Sequence, residues 1–99
     1  GPVVVTPDEL YPEAGLELTC QVNGETVQRG NTNTLVFGAA ALLAYISQFP
    51  LLRPGDLVLT GTPGGVGMGM QPPRFLRDGD VVHTEIEGIG FLDNTIRLT

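Results

Sequence analysis

The densest concentration of usable chemistry is Thr60-Gly61-Thr62-Pro63-Gly64-Gly65-Val66-Gly67-Met68-Gly69. Two hydroxyls lie beside a run of backbone amides that glycine leaves uncovered. Such amides hold carboxylates and oxyanions, because several N–H dipoles can converge on one negative centre. The loop follows an apolar run, as a dinucleotide loop follows its strand, but the spacing excludes that use. With Gly65 and Gly67 in place, the third glycine of G-x-G-x-x-G falls on Met70, and no helix pattern follows. A phosphate-binding loop is excluded because the chain has no lysine. Against an anion holder stands the plainer alternative of a connector whose glycines only make turns. Long glycine loops without structure of their own are often functional.

A second constellation is His83-Thr84-Glu85-Ile86-Glu87. On a strand, positions 83, 85 and 87 face the same way, so an imidazole and two carboxylates would line up like half of a metal or acid/base site. The same pattern is what a half-buried antiparallel strand shows, with Val82, Thr84 and Ile86 inward and the polar residues in water. Positions two apart on a strand are separated by about 6–7 Å at Cα, so a metal site would need further ligands from elsewhere. The remaining candidates read as structural. Cys20 lies on the apolar face of its segment and is small hydrophobic filler. Ser47 lies in a helix pattern without the strand-to-helix turn of a hydrolase serine. Asp56 and Asp80 follow turn glycines and form turns. Arg74, after Pro72-Pro73, is an anion binder or a plain surface charge.

Composition narrows the field further. The chain has 99 residues, 41% hydrophobic, with 14 Gly, 8 Pro and a net charge of −6. That is one domain over 1–99, with a thin core. Five scattered Arg do not make a nucleic-acid face. The lack of lysine excludes Schiff-base chemistry. A single cysteine excludes an internal disulfide and a multi-cysteine zinc site. No apolar run reaches the roughly 18 residues of a membrane helix. No signal-peptide pattern stands at the start, which makes the cytoplasm the expected compartment.

The elements that must position these groups can be read from periodicity. Val3 to Thr6 is a β-branched run expected as a strand. From Leu16 to Val22 apolar and polar residues alternate, then Asn23-Gly24 precedes Glu25 to Gln28. An Asn-Gly pair between strands is the strongest short hairpin signal, since both residues tolerate φ > 0. Asn33 or Thr34 is expected to cap a single helix over Leu35 to Gln48, ended by Pro50. Leu35, Ala39, Leu42, Leu43 and Ile46 form its apolar stripe, and the mostly apolar surface predicts burial on two sides. Pro54-Gly55-Asp56 and Asp78-Gly79-Asp80 are matching turns, feeding strands at Leu57–Thr60 and Val81–Glu87. A last strand runs from about Gly90 to Leu98. About six strands and one helix make the class mainly β.

Taken together, these segments resemble the fumarylacetoacetate hydrolase family. The resemblance is carried by the Gly-Pro-x-Val-Val-Thr start, the Asn23-Gly24 hairpin, Asn31-Thr32, Arg53-Pro54-Gly55-Asp56, the Thr60 to Gly67 loop, Pro72-Pro73-Arg74-Phe75-Leu76, and Glu85 to Gly90. It spans essentially the whole chain in unbroken order, with the Thr-Gly-Thr-Pro loop its most specific part. The nearest branch is that of acylpyruvases, oxaloacetate decarboxylases and hydroxyhepta-diene-dioate isomerases. The resemblance implies the C-terminal part of a mixed β-sandwich roll. It implies a small 2-oxo or enol diacid substrate, held by magnesium or manganese in the complete enzyme, and C–C hydrolysis, decarboxylation or isomerisation as the outcome. By position, Thr62 would bind the substrate carboxylate, with the amides around Gly61 and Gly64 assisting. The family's Glu-x-Glu and Asp metal ligands, its lysine and its His/Glu acid/base elements lie upstream of the segment seen here. Glu85-x-Glu87 matches the ligand spacing but belongs to the C-terminal strand, so no metal site and no catalytic residue is carried over to this chain. Its expected partners are the missing N-terminal half, the 2-oxo acid and a second subunit in a homodimer, with no nucleic acid or membrane. The competing hypothesis is a noncatalytic β module that self-associates through its helix face and hairpin edges. Asn31 and Thr32 stay open between helix capping and substrate contact.

Overall fold

The computed structural model describes residues 3–99, so the Gly1-Pro2 start of the resemblance lies outside it. Four strands form one sheet: β1 (Glu17–Val22), β2 (Glu25–Asn31), β3 (Val81–Ile86) and β4 (Gly90–Thr95). Their order is β2-β1-β3-β4, and every pairing is antiparallel. One helix, α1 (Ala39–Ile46), and three single 3-10 turns complete the regular structure of the described residues. The mainly β class with one helix is therefore as expected.

The hairpin forms as the Asn-Gly pair dictates. Val22 pairs with Glu25 across a two-residue loop, with Asn23 at φ 51° and Gly24 at φ 81°. Both left-handed angles match a type I′ turn, whose twist suits the strands it joins. β2 runs on past Gln28 to Asn31, further than alternation predicts. It can do so because it contains a bulge: Cys20 pairs with Gln28 but Gln21 with Thr26, leaving Val27 without a partner on β1. The hairpin tip is then fastened to β3. The Asn23 side chain accepts from the Val81 amide at 2.9 Å and donates to Asp80 at 2.8 Å, and the Asn23 amide donates to the Val81 carbonyl at 2.9 Å.

Several expected elements differ. Val3–Thr6 and Leu57–Thr60 are not strands. A strand exists only by pairing, and neither segment has a ladder partner among the described residues. The two turns make this plain. Asp56 accepts from the Arg53 amide and Asp80 from the Arg77 amide, each at 2.8 Å, so the turn chemistry is identical. The chain after Asp80 enters a slot between β1 and β4 and becomes β3. The chain after Asp56 leaves Leu57 85% and Leu59 87% exposed. The last strand stops at Thr95, after which Ile96 bonds to Gly79 and Asp80 of the second turn.

The helix is also shorter than its pattern. Thr32–Thr34 is a 3-10 turn, and α1 begins only after Gly38. Asn33 and Thr34 do not cap it. Asn31 accepts from the Asn33 amide at 3.0 Å to cap the 3-10 turn, while Glu13 reaches across to accept from the Ala39 amide at 3.1 Å. A carboxylate at a helix N-terminus meets the positive end of the peptide dipoles. The expected burial of α1 on two sides is not seen, because among the described residues nothing covers its outer face and Leu43 and Tyr45 are exposed. The core is as thin as the length predicts, with Val22, 6% exposed, the one buried apolar residue among those described.

Candidate functional site

The glycine loop is strapped onto β2, and glycines set how close it lies. Gly30 faces Pro63, where an added Cβ would stand 3.0 Å from both Pro63 Cβ and Leu18 Cδ1. Gly65, at φ 103°, lies so near the bulge that a Cβ there would overlap the Val27 carbonyl oxygen. Gly67 is held from the other side by the Arg74 amide, which donates to its carbonyl at 2.9 Å. The loop is a fixed strap rather than a loose connector.

Thr62 is held at the centre of this strap. Gln28 Nε2 donates to Thr62 Oγ1 at 2.8 Å and to the Pro63 carbonyl at 2.9 Å. Thr62 itself stays exposed, between two open hollows. One, of about 330 Å³, is lined in part by Leu18, Asn31, Thr32 and Leu42. The other, of about 660 Å³, is mostly apolar, with Cys20, Val22, Met68 and Phe75 among its walls. Gly61 and Gly64 have nothing within 4 Å of where a Cβ would stand, so open space adjoins the backbone on either side of Thr62 and Pro63. The arrangement offers a hydroxyl and uncovered backbone to an anion.

The other candidates sort as follows. Asn31 and Thr32 serve the fold: Asn31 donates to the Gly15 carbonyl at 3.0 Å, and Thr32 Oγ1 accepts from the Leu16 amide at 2.9 Å. Arg74 is ion-paired to Glu25 at 2.6 Å, so its charge is already matched. A third hollow, of about 940 Å³ along Met70 to Arg77, therefore offers an anion less than its guanidinium suggests. Cys20 is half-buried against a hollow rather than sealed in a core. Ser47 bonds back to the Ala44 carbonyl at 3.0 Å inside its helix.

His83, Glu85 and Glu87 do not converge. His83 Nδ1 bonds Asp93 at 2.7 Å, and Glu85 lies 3.9 Å away from the opposite ring nitrogen. Phe91 stacks on the ring at 5.3 Å, and Glu87 turns aside to accept from the Glu17 amide. Among the described residues no three His, Cys, Asp or Glu side chains are placed to hold a metal ion together. The residues present do not fit the divalent ion that the resemblance implies, and no step through it is derived from them.

Reasoning from sequence missed two residues. Gln28 stands opposite Cys20 on the inner face of the sheet, where alternation expects an apolar side chain; that mismatch was the available signal. Glu13 carries no local signal, because it caps a helix 26 residues away.

A small antiparallel sheet that straps a threonine-bearing glycine loop across its face defines the class structurally. Residues 1–97 match the family model described as fumarylacetoacetate (FAA) hydrolase, C-terminal. An oxaloacetate tautomerase, Fahd2a of Rattus norvegicus mitochondria, is 50% identical over 96 residues, covering 97% of this chain and 31% of that protein. A fumarylacetoacetate hydrolase from Exiguobacterium antarcticum superposes with a TM-score of 0.93 at 43% identity, over 100% of this chain and 35% of that one. Maleylpyruvate hydrolase from Sphingobium sp. SYK-6, solved with manganese(II) and pyruvate, gives a TM-score of 0.83 at 34% identity, over 96% and 33%. The chain belongs to the fumarylacetoacetate hydrolase family. It spans about a third of the length of these relatives, and family members are enzymes acting on small oxo acids.

Proposed function

We propose that this chain supplies the carboxylate-holding strap of a metal-dependent enzyme acting on small 2-oxo or enol diacids. The observation that carries this is Thr62, exposed, held in place by Gln28 and flanked by the open backbone of Gly61 and Gly64. A carboxylate seated there would be oriented, leaving the 2-oxo carbon free for chemistry elsewhere on the substrate. The relatives' names support a tautomerase, isomerase or hydrolase outcome. The magnesium or manganese of such a reaction would be held by residues other than those described here. The test is keto–enol interconversion of oxaloacetate by the protein carrying this chain, with and without added divalent metal. Metal-dependent turnover supports the reading; turnover by the 99-residue chain alone, abolished by His83→Ala or Glu85→Ala, would overturn it.

One observation favours a second reading. The exposed apolar residues on α1 and along 57–59 are surfaces through which a noncatalytic module would self-associate. A monodisperse, cooperatively melting oligomer of the isolated chain would support that module. The homodimer expected of the complete enzyme is tested separately, by sedimentation of the protein carrying this chain.

A further inference from the structure

We infer that Gln28 is a positioning residue that makes Thr62 a directed hydrogen-bond donor toward the substrate. The inference rests on the reading of Thr62 as the carboxylate holder and concerns how that holder is set. A carboxamide can be turned either way, but its surroundings decide here. The Pro63 carbonyl oxygen can only accept, so the amide nitrogen must face it, at 2.9 Å. The same nitrogen lies 2.8 Å from Thr62 Oγ1 and donates its second proton there. A threonine hydroxyl that accepts on this side must place its own proton on another. No carbonyl or carboxylate of the described residues takes that proton.

Polarity is therefore the point of the arrangement. A freely rotating hydroxyl presents a lone pair or a proton, and an anion has to turn it. Here the lone pair is already engaged, and the proton is presented outward before substrate arrives. Preorganised donors are more effective than mobile ones, because little reorganisation is left at the moment of binding. A second consequence concerns the backbone. By holding Thr62 and Pro63 together, one amide fixes the hydroxyl relative to the uncovered amides beside it.

A double-mutant cycle on the protein carrying this chain, with oxaloacetate as probe, tests this. Gln28→Met keeps length and removes both donors. It is expected to raise KM about 3- to 10-fold with kcat nearly unchanged, the range for one hydrogen bond between neutral groups. In a Thr62→Val background the same substitution is expected to change KM less than twofold, because the hydroxyl it orients is gone. An equal rise in both backgrounds, or a lowered melting temperature with unchanged KM, overturns the inference. If Gln28→Met does not fold, Gln28→Glu carries the test. Its carboxylate only accepts, so at pH 8 the Thr62 hydroxyl turns inward. The excess KM over the same change in the Thr62→Val background is then expected to shrink as the pH falls from 8 through the ordinary Glu range to about 4. An excess that is flat with pH, or absent, overturns it. The two levels separate cleanly. Thr62→Val with unchanged KM defeats the reading of Thr62, whereas a raised KM for Thr62→Val together with an inert Gln28→Met defeats only the role of Gln28.

Discussion

At the scale of single residues, Thr62 carries the functional proposal. Replacing its hydroxyl by a methyl keeps the shape and removes one hydrogen bond to a charged group. Thr62→Val is expected to cost about 1–3 kcal/mol in binding a 2-oxo diacid, read as a raised KM for oxaloacetate. Unchanged Michaelis and turnover constants would contradict the assignment. The loop was legible in the sequence because its chemistry is local: two hydroxyls, glycines and a proline lie within a few positions, while the choice of Thr62 over Thr60 came from the family resemblance. Gln28 was not legible, because its role comes from a partner 34 residues away. Periodicity assigns a face to each strand residue but cannot say that a polar one is wanted there.

At the scale of elements, close approach and turn chemistry make separate predictions. Gly65 combines φ 103° with contact against the Val27 carbonyl, so Gly65→Ala is strained twice over. A residue forced into that backbone region costs about 1–3 kcal/mol, and the strap must also lift off β2. A lowered melting temperature and a raised KM are expected together. Gly69→Ala is the control for stability, since Gly69 has open space around it and no positive φ. The turn at Asp80 predicts a response to acid. Hydrogen bonds from the Arg77 amide and then from Asn23 hold the Asp80 carboxyl below its ordinary 3.8. A depressed carboxyl stabilises the fold above its unfolded-state value, and that contribution is lost as the pH falls through the folded-state value. Melting temperature is therefore expected to drop as the pH goes below about 4, less steeply in Asp80→Asn. An identical acid slope in the variant would show that the tie between hairpin tip and β3 contributes nothing. Hairpins and turns were legible because each is decided by neighbours in sequence. Leu57–Thr60 was misread as a strand for the complementary reason, since its turn and pattern match those before β3 but a pairing partner is not a local property.

At the scale of the whole molecule, the described residues spread their apolar side chains over the surface. The radius of gyration is 15.6 Å, against about 13 Å for a compact domain of this length. Phe37, Phe49, Leu51, Leu57, Leu59 and Phe75 are all more than 60% exposed. Such a surface binds hydrophobic dyes and lacks the cooperative packing that gives a sharp melt. The isolated 99-residue chain is expected to bind anilinonaphthalene sulfonate and to melt over a broad range, whereas the protein carrying it melts sharply. A sharp melt without dye binding would favour the self-associating module. Composition signalled the thin core but not where the apolar surface would lie, because that depends on which segments find neighbours.

The bulge at Val27 acts on parity. Counting by twos from Glu25, which faces the strap side opposite Val22, an unbroken strand would send Val27, Arg29 and Asn31 to that side. The one unpaired residue shifts the count, so Gln28 and Gly30 arrive instead. Arg29 is turned to the other surface, where it pairs with Glu17. Deleting Val27 would therefore close the ladder without turning the strand: Glu25, Thr26 and Gln28 would follow in plain alternation, with Gln28 still opposite Cys20 and Gly30 opposite Leu18. Flattening the bulge with every residue kept is what would act as a frameshift in three dimensions, bringing a guanidinium and an Asn to the strap in place of the carboxamide and the bare backbone it is built against.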